Sequence, residues 1–166
     1  MTILGIDPGY ATLGYGVIKY KNGNLKEINH GIISTSSSTA FSKRLEIIYD
    51  SLKKVLYSHK IESVAIEKLY FQNNQKTAID VSQARGVAIL ASQKANTTIY
   101  EYTPLQVKMS VTGSGKAPKL QVMNMVKKLL SLQKIPTPDD AADSLAIAIC
   151  HAHAIGFSKL NLNKSL

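Results

Sequence analysis

The sequence of 166 residues has a single cysteine and no long apolar run. Because a disulfide needs two thiols, Cys150 forms none within the chain, and it cannot build a thiolate metal cluster. The apolar stretches fall short of the roughly 18 residues that span a bilayer, and no basic segment precedes the first of them as in a secretory signal. These absences predict a cytoplasmic protein in a reducing compartment, with no membrane contact.

The residues that are present suffice for one folded domain. Apolar residues make up 45% of the chain, and a chain of about this length buries roughly 70% of the surface that its unfolded form exposes. No proline-rich linker or internal repeat divides the sequence. We therefore expect one domain over residues 1–157 and a flexible C-terminal tail over residues 158–166.

Acidic residues are scarce, and the formal net charge is +9. The excess is concentrated between Arg85 and Lys134, where eight basic residues are opposed only by Glu101. Such a segment is typical of a surface that binds a polyanion, and equally of solvated lysines that keep a protein in solution. Charge alone does not separate these two interpretations.

Apolar patterning predicts five strands and at least four helices. The strands are expected at residues 2–7 and 15–20, next after the Asn22–Gly23 turn, and then at 63–67 and 98–102. The longer helices are expected at residues 40–59, 74–94, 119–131 and 139–155, and Pro104 suits the start of a shorter one. The order β-β-β-α-β-α-β-α-α predicts an α/β fold with a mixed sheet flanked by helices.

Four carboxylates stand at positions from which they can meet. Asp7 and Glu67 each end an apolar strand, so neighbouring strands would bring them to one edge of the sheet. Asp140 and Asp143 are three residues apart at the start of a helix and share one face. Four acids repel one another unless cations compensate, and carboxylate oxygens suit Mg²⁺ or Mn²⁺. Two such ions about 4 Å apart would hydrolyse a phosphodiester, which is the apparatus of a nuclease.

Each of these acids also has an ordinary structural interpretation. Asp7 before a Pro-Gly pair is typical of a turn, and an aspartate near a helix start is typical of a cap. We assign Asp139 to capping. His151 and His153 have no cysteine nearby, and we interpret them as residues of a helix surface rather than zinc ligands.

Two further features bear on the binding of nucleic acid or nucleotide. Tyr70 and Phe71 lie in a predicted loop close to Glu67, where aromatic rings can stack on bases or wedge between them. Core packing is the alternative, since large aromatic side chains are usually buried. Residues 113–116 end like a phosphate-binding loop, but Ala117 replaces the hydroxyl that binds Mg²⁺ there, so we expect no nucleotide site.

Five blocks of sequence occur in order between residue 3 and about residue 153. They are Gly5-Ile6-Asp7-Pro8-Gly9, Gly14-Tyr15-Gly16, Ala65-Ile66-Glu67, Gln83-Ala84-Arg85-Gly86-Val87-Ala88, and the run from Asp140 to Ala148. Together these blocks resemble the RuvC family of bacterial Holliday junction resolvases. The combination is far more specific than the first block alone.

The resemblance implies an RNase H-like fold and a homodimer that makes paired, symmetric nicks in four-way junction DNA, leaving 5′-phosphate and 3′-hydroxyl ends. It implies two Mg²⁺ ions per active site, with Mn²⁺ as a substitute, and the RuvA–RuvB branch-migration complex as a partner. The implied catalytic residues are Asp7, Glu67, Asp140, Asp143 and Lys119, of which the four acids are the metal ligands. The expected DNA-binding residues are Tyr70, Phe71, Arg85, Lys108, Lys116 and Lys119.

The helix expected at 74–94 carries a stripe of small residues that includes Ala84 and Ala88. Small side chains permit close packing, and we expect this stripe to form the contact between two subunits. A two-fold dimer would present two copies of one site to a substrate that needs two cuts.

Three other classes of protein share part of this pattern. A junction-binding protein without activity would need the basic segment but not all four acids. An actin-like phosphotransferase shares the Gly-Ile-Asp-Pro-Gly motif but usually has a duplicated domain, for which 166 residues leave no room. YqgF-type RNase H-like proteins share the opening motif but lack the later blocks.

Overall fold

The structure, a computed structural model, describes the backbone of residues 1–69 and 75–162 and the side chains of residues 1–69 and 77–156. Its strands are β1 (Thr2–Asp7), β2 (Thr12–Lys21), β3 (Asn24–Ser34), β4 (Ser63–Glu67) and β5 (Thr98–Tyr102). Its helices are α1 (Phe41–Ser58), α2 (Gln75–Lys94), α3 (Pro104–Thr112), α4 (Lys119–Leu129) and α5 (Asp139–Leu162).

The five strands form one mixed sheet, as the sequence predicts, and their order in it is β3-β2-β1-β4-β5. The first three strands are antiparallel, and β1, β4 and β5 are parallel. Asn22 and Gly23, with φ of 51° and 82°, make the tight turn between β2 and β3. The short helix α3 begins at Pro104, and the side chain of Thr103 caps it by accepting from the backbone N–H of Gln106.

The central pair of parallel strands places two acids side by side. The register of β1 and β4 pairs Ile6 with Ile66, and the next residues along the two strands are Asp7 and Glu67. Because parallel strands end at the same edge of a sheet, the two carboxylates leave the sheet together.

Helices cover both faces of the sheet. The core on one face contains residues of α1 and α2, and the core on the other face contains residues of α3, α4 and α5. Both cores are predominantly aliphatic, with Ile48 and Leu52 fully buried on the first face and Leu145 and Ile149 fully buried on the second. Burial of this apolar surface is the main force that holds the layers together.

The packing of α2 corrects the expected position of the dimer contact. Ala84 and Ala88 are both 0% exposed in the single chain and belong to the core between α1, α2 and the sheet. A second subunit cannot reach side chains that are already covered. The prediction that this stripe joins two subunits is therefore wrong, since its small residues serve packing within the protomer.

The two histidines of α5 differ in their surroundings. His151, expected on a helix surface, is 1% exposed. The Tyr102 hydroxyl lies 2.7 Å from Nδ1 of His151, the Ser63 hydroxyl lies 3.1 Å from Nε2, and burial lowers the pKa of His151 to about 4. His153 is half-buried, with Nδ1 3.0 Å from the Ser110 hydroxyl. His151 is therefore a neutral core residue whose ring nitrogens are both hydrogen-bonded.

Glycines in β1 and β2 let the backbone of α5 lie directly on the sheet. A Cβ added to Gly5 would lie 2.0 Å from the carbonyl oxygen of Ser144, and one added to Gly14 would lie 2.0 Å from that of Asp140. A Cβ on Gly16 would meet Leu145 at 2.8 Å. Any side chain at these positions would push the start of α5 away from the sheet.

The last helix and the membrane expectation are the remaining points of the fold. Helix α5 continues to Leu162, and the division of the chain at residue 157 stays a prediction. Within the described part of the chain, no helix combines the length and the apolar character that crossing a bilayer requires.

Gly14→Ala should destabilise the protein, because Gly14 lies directly against the backbone of α5. The added methyl group would overlap the Asp140 carbonyl, and overpacking of this kind costs about 1–3 kcal/mol. We expect a melting temperature lower by roughly 2–12 °C, at about 2–4 °C per kcal/mol for a chain of this size. Ala11→Ser, which adds one atom at an exposed position near the same strand, is the control. Equal melting temperatures for the two variants would contradict the packing argument.

Candidate active site

The carboxylates of Asp7 and Glu67 meet at the edge of the sheet and share a hydrogen bond. Burial raises the pKa of Asp7, and the negative charges of Glu67, Asp143 and Asp140 raise it further, to about 8. Burial also raises the pKa of Glu67. Two acids that share a proton in this way need a positive charge before both can ionise.

Helix α5 brings the other two acids to the same place. Asp140 and Asp143 are both half-buried in its first turns, and both are close enough to Asp7 to raise its pKa. Burial raises the pKa of Asp143, and the ammonium group of Lys119 acts in the opposite direction. The structure therefore assembles all four predicted acids at one end of the sheet.

Lys119, the first residue of α4, is the cation beside this cluster. Its Nζ lies 3.0 Å from Oδ2 of Asp143 and 3.2 Å from Oδ2 of Asp139. Burial lowers the pKa of Lys119, but the two carboxylates outweigh this effect and raise it. Asp139, which the sequence assigns to capping, thus contributes to the charge balance of the site. The spacing of four residues between Asp139 and Asp143, which places them on one helix face, is the signal that could have revealed it.

The four acids fit a divalent metal site by their chemistry. Among the described residues, no three of them are arranged to hold one ion in the side-chain positions observed. In those positions Asp143 is paired with Lys119, and Asp7 is hydrogen-bonded to Glu67. The lysine and the shared proton thus supply the compensation that a divalent cation bound by carboxylate oxygens would supply in their place. The donor set accordingly suits Mg²⁺ or Mn²⁺.

A cleft of about 190 Å³ opens beside the acids. Glu67, Asp143, Lys108 and Lys119 supply its charged lining, and apolar side chains of α3, α4 and α5 supply the rest. Lys108 is half-buried and lowers the pKa of Glu67, which shows that its charge acts at the site. Lys116 is exposed in the turn between α3 and α4, three residues before Lys119. The two signs of charge therefore meet in one cleft.

The remaining predicted DNA contacts have different positions. Tyr70 and Phe71 lie outside the described residues, and their contact with bases stays a prediction. The guanidinium group of Arg85 is directed into the protomer, where it donates to the Glu67 carbonyl oxygen and pairs with Glu101. Sequence reasoning placed Arg85 on a DNA-binding surface and missed this contact with Glu67.

The sheet order, with carboxylates at the ends of two central strands and at the start of the last helix, is that of an RNase H-like fold. The sequence profile of the family described as "Crossover junction endodeoxyribonuclease RuvC" matches residues 3–151. The chain therefore belongs to the RuvC family.

Individual relatives agree with this assignment. The chain is 51% identical over 154 residues to the crossover junction endodeoxyribonuclease RuvC of Clostridioides difficile, covering 93% of this chain and 91% of the relative. It is 32% identical to Thermus thermophilus RuvC, with a TM-score of 0.89 over 95% of this chain and 97% of the other. T. thermophilus RuvC in complex with a Holliday junction substrate gives 30% identity and a TM-score of 0.87, covering 95% and 96% of the two chains.

Asp7→Asn should raise the stability of the metal-free protein. The raised pKa of Asp7 favours folding below pH 4, and this contribution is lost as the pH rises from about 4 to about 8. The asparagine carries no charge, so in EDTA at pH 8 we expect it to melt about 2–4 °C higher than the native chain, equivalent to about 1 kcal/mol. The difference should shrink towards pH 4.

The control for this comparison is Asp50→Asn, which removes an exposed carboxylate from α1. Its melting temperature should follow that of the native chain across the same pH range. A native chain that is as stable as Asp7→Asn at pH 8 in EDTA would contradict the electrostatic account of the site.

Proposed function

We propose that this protein is a metal-dependent endonuclease that resolves four-way DNA junctions by paired, symmetric nicks in recombination and repair. The convergence of Asp7, Glu67, Asp140 and Asp143 beside Lys119 is the observation that carries the proposal. Membership of the RuvC family and the similarity to T. thermophilus RuvC bound to a Holliday junction support the choice of substrate.

The four acids would hold Mg²⁺, for which Mn²⁺ would substitute. When bound, two such ions would lower the pKa of the attacking water and would stabilise the departing 3′ oxygen, so that a 5′ phosphate is left. Asp7 and Glu67 must release their shared proton before they can act as ligands. Metal binding therefore has to displace a proton that the raised pKa values of the two acids help to retain.

Two lysines complete the proposed reaction centre. Lys119 donates to carboxylate oxygens from the edge of the cleft, and its ammonium group can donate to a phosphoryl oxygen placed there instead. Such a contact stabilises the charge that develops on the phosphate in the transition state. Lys108 lines the same cleft and would contact the DNA backbone.

The basic segment supports binding of the DNA arms. Lys116, Lys119 and Lys128, which lie in α4 and in the turn before it, are exposed, and lysines of this kind neutralise phosphates in any sequence. Tyr70 and Phe71 are the proposed contacts to bases at the junction centre. Phosphate contacts position a protein on DNA but carry no sequence information directly. The preference for a four-way junction over a duplex would therefore come from the arrangement of the DNA arms rather than from reading of bases.

A second copy of this chain is a proposed partner, because a junction needs two related cuts. With Ala84 and Ala88 covered, the outer face of α2 is available, where Ile79 and Leu90 are 66% and 50% exposed. Exposed aliphatic side chains of one helix suit a two-fold contact with the same helix of the partner. We further propose a cytoplasmic location and cooperation with a RuvA–RuvB branch-migration complex, both on family membership.

A junction-binding protein without activity is the alternative within this fold. It would need the basic segment, but it would have no use for a buried cluster of four acids that repel one another. All four acids are present and converge here. The cluster therefore favours the enzyme.

The function is tested with synthetic mobile and immobile four-way junctions, with and without Mg²⁺, resolved on a sequencing gel. We expect symmetric nicks with 5′-phosphate ends in the presence of Mg²⁺ only. Asp7→Asn should bind the junction and lose at least about 10²–10³-fold in cleavage rate, because a metal ligand is gone. The Asp50→Asn control should cleave like the native chain. Unimpaired cleavage by Asp7→Asn would rule out the proposed site.

The dimer contact is tested by Leu90→Asp, which places a charge on the outer face of α2. We expect this variant to be folded and monomeric by light scattering, because an unpaired charge is costly in an apolar interface. Leu120→Asp on α4, where the leucine is 63% exposed, is the matched control and should stay dimeric. A dimeric Leu90→Asp variant would place the contact elsewhere.

A further inference from the structure

Arg85 makes two contacts that join three elements of the fold. It lies within α2, and its side chain is 19% exposed. Its Nε donates to the backbone carbonyl oxygen of Glu67 at 3.1 Å, and its Nη2 is ion-paired with Oε1 of Glu101 on β5. One guanidinium group therefore ties α2 to the end of β4 and to the neighbouring strand.

The contacted carbonyl is that of Glu67, a catalytic acid at the end of β4, where the pairing with β1 has already ended. The paired register between β1 and β4 ends at Ile6 and Ile66, one residue before Glu67. On the other side, the register of β4 and β5 ends at Glu67 and Tyr102. Arg85 thus supplies a hydrogen-bond donor to the last peptide of β4, beyond the final pair with β1.

Arg85 already has a carboxylate partner inside the protomer. Glu101, the only acidic residue between positions 85 and 138, pairs with it and also lies 3.9 Å from Nζ of Lys68. A guanidinium group that is largely covered and held by a carboxylate is poorly placed to neutralise a phosphate. Arg85 therefore differs from Lys116 and Lys128, which are exposed.

We propose that Arg85 is a positioning residue that fixes the Glu67 peptide, and with it the Glu67 carboxylate, rather than a residue that contacts DNA. This inference builds on the nuclease activity proposed above. Metal ligands depend on the groups that orient them, and loss of such a group costs about 10–100-fold in metal affinity or activity. The planar fork of arginine suits the task because two of its nitrogens, Nε and Nη2, contact the carbonyl and the carboxylate in a fixed relative geometry. The single ammonium nitrogen of a lysine has no such fixed fork.

Three variants separate positioning from DNA contact. Arg85→Gln removes the charge and the fork, Arg85→Lys keeps the charge alone, and Glu101→Gln leaves Arg85 in place but takes away the carboxylate that orients it. Lys94→Gln is the matched control, because it removes one exposed positive charge from the same helix. Each variant is first checked for folding by circular dichroism and thermal melting.

Two measurements on the full-length protein are expected to respond together. Mn²⁺ affinity, measured by calorimetry without DNA, should fall about 10-fold or more in Arg85→Gln and should not recover in Arg85→Lys. Junction cleavage at saturating protein should slow by about 10–100-fold in the same variants. Glu101→Gln should also lower both the Mn²⁺ affinity and the rate of junction cleavage. Lys94→Gln should leave both unchanged.

Junction binding without divalent ions supplies the opposing readout. We expect Arg85→Gln to bind within about twofold of Lys94→Gln and with the same salt dependence. If Arg85 instead contacted a phosphate, Arg85→Gln would reduce the steepness of log affinity against log salt by about 0.9. Arg85→Lys, which keeps the charge, would then retain the salt dependence of the native chain. A phosphate contact would also make Glu101→Gln bind DNA more tightly, because a repelling carboxylate is removed.

Each of the other outcomes also decides the proposal. Weakened binding with unchanged Mn²⁺ affinity and unchanged cleavage at saturation would overturn it, and so would an Arg85→Gln variant indistinguishable from Lys94→Gln. If Arg85→Gln does not fold, the Glu101→Gln result decides in its place. If the native chain cleaves no junction, the proposed function fails, and the Mn²⁺ affinities still decide the role of Arg85.

Discussion

The direct contact between the backbone of α5 and the sheet is the constraint on which the rest of the structure depends. Gly5 and Gly14 have no side chain, and the carbonyl oxygens of Ser144 and Asp140 occupy the space that a Cβ would need. This close approach brings the first turns of α5 to the edge where β1 and β4 end. The site depends on it, because Asp140 and Asp143 could not reach Asp7 from a helix held at ordinary packing distance by side chains.

The electrostatic cost of the site is met locally. Four half-buried acids in one place are unfavourable, and the pKa of Asp7 shows the strain by rising to about 8. Lys119 offsets part of this repulsion by pairing with Asp139 and Asp143. The fold thus contains an electrostatically unfavourable cluster, while well-packed aliphatic cores on both faces of the sheet provide the stability.

Local patterns predicted much of this structure, and long-range partners account for what they missed. The five strands, the Asn22–Gly23 turn and the helix at Pro104 follow from short-range preferences, and strand order brings Asp7 and Glu67 together once β1 and β4 are neighbours. The alanines of α2 predicted close packing. A pattern on one helix, however, does not show whether the surface that packs against it belongs to the same chain or to a second subunit.

The same limit applies to the side-chain contacts of His151 and Arg85. His151 was assigned to a helix surface because no cysteine is nearby in the sequence, whereas its hydrogen-bond partners, Ser63 and Tyr102, are far away in sequence. Arg85 was expected to contact DNA, and that stays a prediction; the backbone oxygen that it contacts lies 18 residues earlier, and no composition of charges reveals this contact.

The position of α5 in the chain has a consequence for synthesis. Asp7 lies in the first strand, at the centre of the sheet, whereas Asp140 and Asp143 lie in the last helix. A ribosome therefore releases the final two acids only after every other element has emerged, and the face of the sheet that α5 covers stays exposed until then. A nascent or prematurely terminated chain carries an incomplete acid cluster, so the four acids come together only when the core is completed.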